Sequence, residues 1–236
     1  IMSTIRSQPA YVLHRQALET GQERIELLTP DLGRLHFRRK VDKHPMPLFQ
    51  KLDVDFRGQG ASHQMRSWVP SGPIHHLQEH RLYFGLYLNE LITRLWPLQG
   101  NSVALFGLYS STLTLISKQH QERAALRYFE RTLLAELGFA LEFKQSLDGR
   151  AIVPEGHYRH CVGTGFERSP VVPNAISGEH LIAIDRNEWH LAGALHHARG
   201  IFSREIDLHL EGQTLHTRTL LRQVMDRATG DLGAKT

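Results

Sequence analysis

Between Gly33 and Arg66 stand eight Lys/Arg residues, Arg34, Arg38, Arg39, Lys40, Lys43, Lys51, Arg57 and Arg66, against three acids, Asp42, Asp53 and Asp55. That window nets +5, while the rest of the chain holds 20 basic and 21 acidic residues. A concentrated field of one sign attracts polyanions, because each phosphate that a cation neutralises releases condensed counterions. The window therefore reads as a nucleic-acid surface, with an ordinary solvated strand face as the competing reading. Arg34, Arg38, Arg39, Lys40 and Lys43 are the candidate phosphate contacts, with Arg57 and Arg66 behind them. Phe37 could serve as a base-stacking platform, but its alternation with Leu35 assigns it to a core, and Phe56 follows the same pattern.

Other residue groups could in principle do chemistry. Sixteen histidines raise the question of a metal, and His157-x-x-His160-Cys161 places three ligand types close together. A tetrahedral zinc would need a fourth ligand, and His180 and His190 lie at no recognisable spacing. The pairs His75-His76 and His196-His197 point to different sides of any helix that holds them. Asp53-Val54-Asp55 sets two carboxylates on one strand face, as a metal-dependent nuclease would, but without a third acid or a lysine motif they read as solvent-facing. No nucleophile elbow, phosphate loop or dinucleotide fingerprint is present. The expectation is a protein with no catalytic residues, no metal and no cofactor.

The bulk properties set the frame for these residues. With 236 residues, 41% hydrophobic and 22% charged, the chain matches a globular protein with one large core or two smaller ones. Its most apolar stretch, Leu82–Trp96, is interrupted by Asn89, Glu90, Thr93 and Arg94, so no membrane span is expected. The first residues lack the charged-then-apolar order of a signal peptide, and Met2 reads as the natural start. A single cysteine, Cys161, excludes an internal disulfide and fits a reducing, cytoplasmic compartment.

The basic window must be positioned by strands. Tyr11-Val12-Leu13 and Arg24–Leu28 read as extended, then Thr29-Pro30-Asp31-Leu32-Gly33 turns the chain into Leu35–Arg38. Lys51–Phe56 alternates with Leu52, Val54 and Phe56 on one face, Gly58-Gln59-Gly60 turns, and Gln64–Val69 is a fifth strand. Five short strands in about 60 residues point to a small barrel, with the OB fold foremost. Helical spacing then takes over through Leu82–Trp96, stopped by Pro97, and through Ser102–Lys118 and Gln121–Leu137, closed by Gly138. Arg123, Arg127 and Arg131 recur every four residues along the third of these helices. Residues 143–175 show little periodicity. Ser177–His180 reads as a helix start, Leu191–Leu210 as a long helix, Thr217–Arg227 as a last one, and Gly230–Thr236 as a frayed tail. The fold class is α+β: an N-terminal OB-fold β-barrel over 1–76, then an all-α helical domain over 77–236 with an irregular insertion near 143–175.

Four segments carry a family resemblance. Tyr11-Val12-Leu13-His14 with Glu19-Thr20 and Leu32-Gly33-Arg34 is the first, and Tyr83–Leu91 is the second. Ala125–Glu130 running through Leu134–Phe139 is the third, and Leu215–Arg218 with Leu220, Arg222, Gln223 and Val224 is the fourth. In this order they resemble the RecO family of bacterial recombination mediators over nearly the whole chain. The resemblance implies an OB domain that binds single- and double-stranded DNA. It also implies a helical domain that docks RecR and the acidic C-terminal tail of single-stranded DNA-binding protein. Strand annealing and the loading of recombinase on coated gaps would follow, without bond chemistry; a metal-dependent nuclease and an RNA-binding OB adaptor are the alternatives. Arg127 matches the family position for the tail, where a guanidinium can hold its carboxylate bidentately, and Arg123 could add attraction one turn earlier. The competing reading pairs Arg127 with Glu130 or Glu122. Two departures stand out. The four cysteines with which many members hold zinc are reduced to Cys161, and the basic loop Phe37–Lys43 lacks the family's glycine.

Overall fold

The computed structural model describes residues 5–19, 21–57, 64–118 and 121–223. The turn expected at Gly58-Gln59-Gly60, Thr20, Val224, the end of the last helix and the Gly230–Thr236 tail lie outside the described residues. The chain divides into two compact units, Ile1–Lys118 with Leu215–Thr236, and Gln119–Thr214.

The first unit opens with five antiparallel strands: β1 (Ile5–Ala17), β2 (Gln22–Thr29), β3 (Gly33–Lys40), β4 (Gln50–Arg57) and β5 (Gln64–Ile74), hydrogen-bonded in the order β3-β2-β1-β4-β5. The long first strand serves two neighbours. Its first half pairs with β4, from Ile5↔Arg57 to Ala10↔Leu52, and its second half with β2, from Tyr11↔Leu28 to Ala17↔Glu23. Alternation sends Val12, Ile25, Leu27, Leu35, Phe37, Leu52, Val54 and Phe56 into one core. Phe37 of β3 and Phe56 of β4 stack with ring centroids 5.5 Å apart. In a flat sheet those strands would be separated by three spacings, about 14 Å. The sheet is therefore curled on itself, as in an OB fold, and the two phenylalanines are core.

Two helices seat on this sheet, α1 (His80–Leu95) and α2 (Val103–Ile116). The expected 76/77 boundary falls between the end of β5 and the start of α1, inside this unit. A bulge in β1 between Val12 and His14 turns out the Leu13 carbonyl, which accepts from Asn89 Nδ2 of α1 at 2.9 Å. The Asn89 Oδ1 accepts from Tyr109 of α2 at 2.6 Å, so one buried amide ties strand and both helices together. Burial pushes the Tyr109 hydroxyl well above its usual range, keeping it a donor. A last helix, α6, is described over 216–223. Its first turn is held by Glu90 of α1, whose carboxylate accepts from the His216 and Thr217 N–H groups at 2.8 and 2.9 Å.

The second unit contains α3 (Glu122–Glu136), β6 (His157–Cys161), β7 (Gly165–Arg168), β8 (Ile176–Ser177), α4 (Gly178–Asp185) and α5 (Ala194–His209). The stretch read as irregular holds β6, β7 and the approach to β8, forming a small sheet in the order β7-β6-β8. Strands of two to five residues are too short to show a period, and packing sustains them: Phe143 lies 5.1 Å from Phe166 and 6.3 Å from Phe202 of α5. Gly138 closes α3 at φ 88°, and the Ser177 side chain caps α4 by accepting from the His180 N–H at 3.3 Å.

Candidate nucleic-acid interface

Strand register decides which of the basic residues share a surface. On β3, Leu35 and Phe37 point inward, so Arg34, His36, Arg38 and Lys40 point outward. Their cross-strand partners on β2 are Leu28, Glu26, Arg24 and Gln22, and those of β2 on β1 include His14 opposite Glu26 and Gln16 opposite Arg24. The outward face of β1–β3 thus carries Arg24 directly opposite Arg38, with Lys40 beside them. Like charges at opposed positions destabilise a strand pair. A fold keeps them there at a cost, and an anionic ligand would remove it. Arg24, Arg38 and Lys40 are exposed, with no ion pair or side-chain hydrogen bond among the described residues.

Arg34 and Arg39 sit differently. Arg34 lies on the same face but under the C-terminal end of α1, donating to the Ile92 carbonyl at 3.3 Å and to that of Thr93. It also pairs with Glu26 at 3.2 Å, and burial lowers its pKa against that carboxylate's pull. Its charge is spent on the helix C-terminus, where orphan carbonyls concentrate partial negative charge. Arg39, on the inward side at the barrel end, pairs with Glu23 at 2.7 Å, both side chains largely buried. Lys43 is exposed in the loop that follows β3. There Asp42 accepts from the His44 N–H at 3.1 Å, a bond that lowers its carboxyl below the usual range. This Asx turn shapes the loop without the family's glycine.

Arg57 ends β4 beside Phe56, and Arg66 is the extra residue where Phe56 faces Met65 and Asp55 faces Ser67. Both arginines are exposed; register sets Arg57 opposite Ile5 at the start of β1, whereas Arg39 and Lys40 lie toward the Ala17 end of that strand. The Asp53-Val54-Asp55 carboxylates line the outward side of β4, Asp55 accepting from Ser67 at 2.6 Å. Arg24 was missed in the sequence because it stands outside the basic window; its significance comes from the register opposite Arg38.

In the second unit, Arg123 is exposed on α3, whereas the Arg127 Nη2 donates to Glu130 at 2.9 Å with both side chains buried. Arg131 binds the end of α4, donating to the Ile184 and Asp185 carbonyls at 2.7 Å and pairing with the Asp185 carboxylate at 3.0 Å. Strand alternation puts His160 on the opposite face of β6 from His157 and Cys161. The His160 Nε2 meets Glu205 of α5 at 2.7 Å in the interior, and Glu205 also accepts from the Gly163 N–H at 3.0 Å. Among the described residues no three His, Cys, Asp or Glu side chains are grouped as a metal would need. No described helix is long and apolar enough to cross a membrane.

Comparison with known proteins bears on the whole chain. The family profile "Recombination protein O C terminal" matches residues 77–211. The DNA repair protein RecO of Pseudomonas entomophila strain L48 is 34% identical over 221 residues, covering 92% of this chain and 97% of that protein. Those of Stutzerimonas stutzeri strain A1501 and Pseudomonas aeruginosa strain LESB58 are 32% and 31% identical, each over 93% of this chain and 94% and 96% of their own length. With a profile matching more than half its length and relatives aligned nearly end to end, the chain belongs to the RecO family of DNA repair proteins.

Proposed function

We propose that this chain is a cytoplasmic recombination mediator that binds single- and double-stranded DNA on the outward face of β2 and β3, anneals complementary strands and helps load recombinase at coated gaps. The observation that carries the DNA reading is the Arg24–Arg38 opposition with Lys40 alongside, three exposed cations on one curled sheet. Lys43, in the loop after β3, extends the field, and Arg57 and Arg66 add exposed cations on β4 and β5. Arg34 and Arg39 contribute by fixing that surface, since their donors serve α1 and Glu23. The helical elements would dock partners, RecR and the acidic tail of single-stranded DNA-binding protein, with Arg123 and Arg127 of α3 as the cations for the tail.

The test is binding of a labelled single strand by fluorescence anisotropy across a salt series. Arg38→Glu with Lys40→Glu should weaken binding about tenfold or more at low salt. The same change should make the log–log salt slope shallower by about 1.4, two phosphates at roughly 0.7 each. Unchanged affinity and slope would overturn the assignment. Annealing of complementary DNA that leaves both strands intact with divalent metal present separates this reading from a nuclease. Tighter binding to RNA than to DNA, with no annealing, would favour the adaptor instead.

A further inference from the structure

Next to the basic face lies a cleft of about 430 Å³, walled by the outward sides of β1 and β2, by α1 and by the start of α6. All of these belong to the first unit. Arg24 stands on both surfaces, reaching the cleft on one side and facing Arg38 on the other. Two strand spacings, about 10 Å, span the distance from Arg38 to Gln16 at the cleft wall. The face and the cleft are one track.

The charges in the cleft are sorted by what already occupies them. Its two acids are engaged: Glu26 pairs with Arg34 at 3.2 Å, and Glu90 accepts from the first N–H groups of α6 and from the Thr217 hydroxyl. The α6 N-terminus is accordingly filled from within the chain and is not the attracting element. The cations of the walls are Arg24, exposed, and Arg94, which already makes an interaction of its own; His14 and His216 lie beside them, and the half-buried Leu86 supplies apolar surface. Cations around an apolar patch suit a nucleotide that presents both a phosphate and an unpaired base.

Size gives the selectivity. A space of this volume is at the small end of ligand pockets and holds one or two nucleotides. A duplex keeps its bases paired inside and is too wide to enter; an unpaired strand can turn a nucleotide in. We infer that single-stranded DNA occupies this cleft and double-stranded DNA does not, the two forms sharing only the β2–β3 face and parting at Arg24. The inference rests on that face being the DNA surface.

Two variants test it through different physics. Gln16→Trp, at an exposed strand position on the cleft wall, fills the space without altering charge; Arg94→Glu reverses a wall charge. Affinities for a single strand and a blunt duplex of equal length are measured by anisotropy at physiological salt, where charges beyond about 8 Å are screened. Each variant should weaken single-strand binding by about fivefold or more while duplex binding stays within about twofold. Equal effects on the two DNA forms, or none on either, would overturn the cleft assignment. If Gln16→Trp does not fold by circular dichroism, Arg94→Glu decides alone. Arg38→Glu with Lys40→Glu, run in parallel, should weaken both forms; if it weakens neither, the shared face has failed, an outcome distinguishable from failure of the cleft alone.

Discussion

At the scale of single residues, an arginine's worth to a ligand depends on what else it already holds. Arg34 stands in the basic window by sequence, yet its partners Ile92 and Thr93 lie nearly sixty positions away, beyond any local pattern. Arg38, four residues on along the same strand face, is left for solvent or ligand. The histidines divide in the same manner. His160 is buried with its Nε2 on Glu205, and its Nδ1 has no partner among the described residues, so a second proton would find no acceptor. Burial lowers its pKa below the ordinary 6.5, outweighing Glu205's opposite pull, and burial likewise lowers those of His75 and His197. A histidine depressed in the folded state favours folding above its unfolded pKa, and that contribution is lost progressively as pH falls below about 6.5 toward the lower folded value. Urea unfolding should therefore show lower stability at pH 5.5 than at pH 7.5. His160→Gln, which keeps a neutral donor toward Glu205, should reduce that difference without abolishing it, because His75 and His197 remain. A difference as large as wild type in the variant would show that His160 takes no part.

Between elements, the β1 bulge turns out the Leu13 carbonyl that Asn89 of α1 holds. Leu52, Val54 and Phe56 announced β4 by alternation, and Pro97 and Gly138 marked helix ends, because those signals are local. The tie between β1 and α1 is not local: Asn89 reads as a polar interruption of an apolar run and gains its meaning only from the Leu13 carbonyl 76 positions earlier. The strands within 143–175 were illegible for a related reason, since four or five residues carry no period and their order comes from Phe143 and Phe202. Asn89→Ala should strand the Leu13 carbonyl and the Tyr109 hydroxyl in the interior, costing about 2–3 kcal/mol in chemical denaturation. Tyr109→Phe leaves only the Asn89 Oδ1 without its donor and should cost less, about 1 kcal/mol. If Tyr109→Phe proved the more damaging, the amide would not be the joint between strand and helices. The cleft was equally hidden, being assembled from β1, β2, α1 and α6, which no single stretch of sequence brings together.

For the whole molecule, the division into two units makes the proposed DNA and tail roles separable. The cations of the proposed DNA face belong to the first unit, and Arg123 and Arg127 belong to the second. Arg127→Glu would set a carboxylate against the buried Glu130 and risks unfolding α3, so its effect on tail binding would be ambiguous. Arg123→Glu, at an exposed position, and Arg127→Lys, which keeps the charge but loses the planar fork, avoid that difficulty. With a fluorescent acidic peptide ending in Phe, the two changes together should weaken binding about tenfold, as expected when a bidentate, charge-assisted contact is lost. DNA affinity should be unaltered in that variant, and Arg38→Glu with Lys40→Glu should give the reverse pattern: DNA binding weakened and peptide binding kept. If the α3 variant bound peptide as wild type does, the tail would have to dock elsewhere. Should either variant lose both ligands while remaining folded, the separation of roles between the units would be refuted.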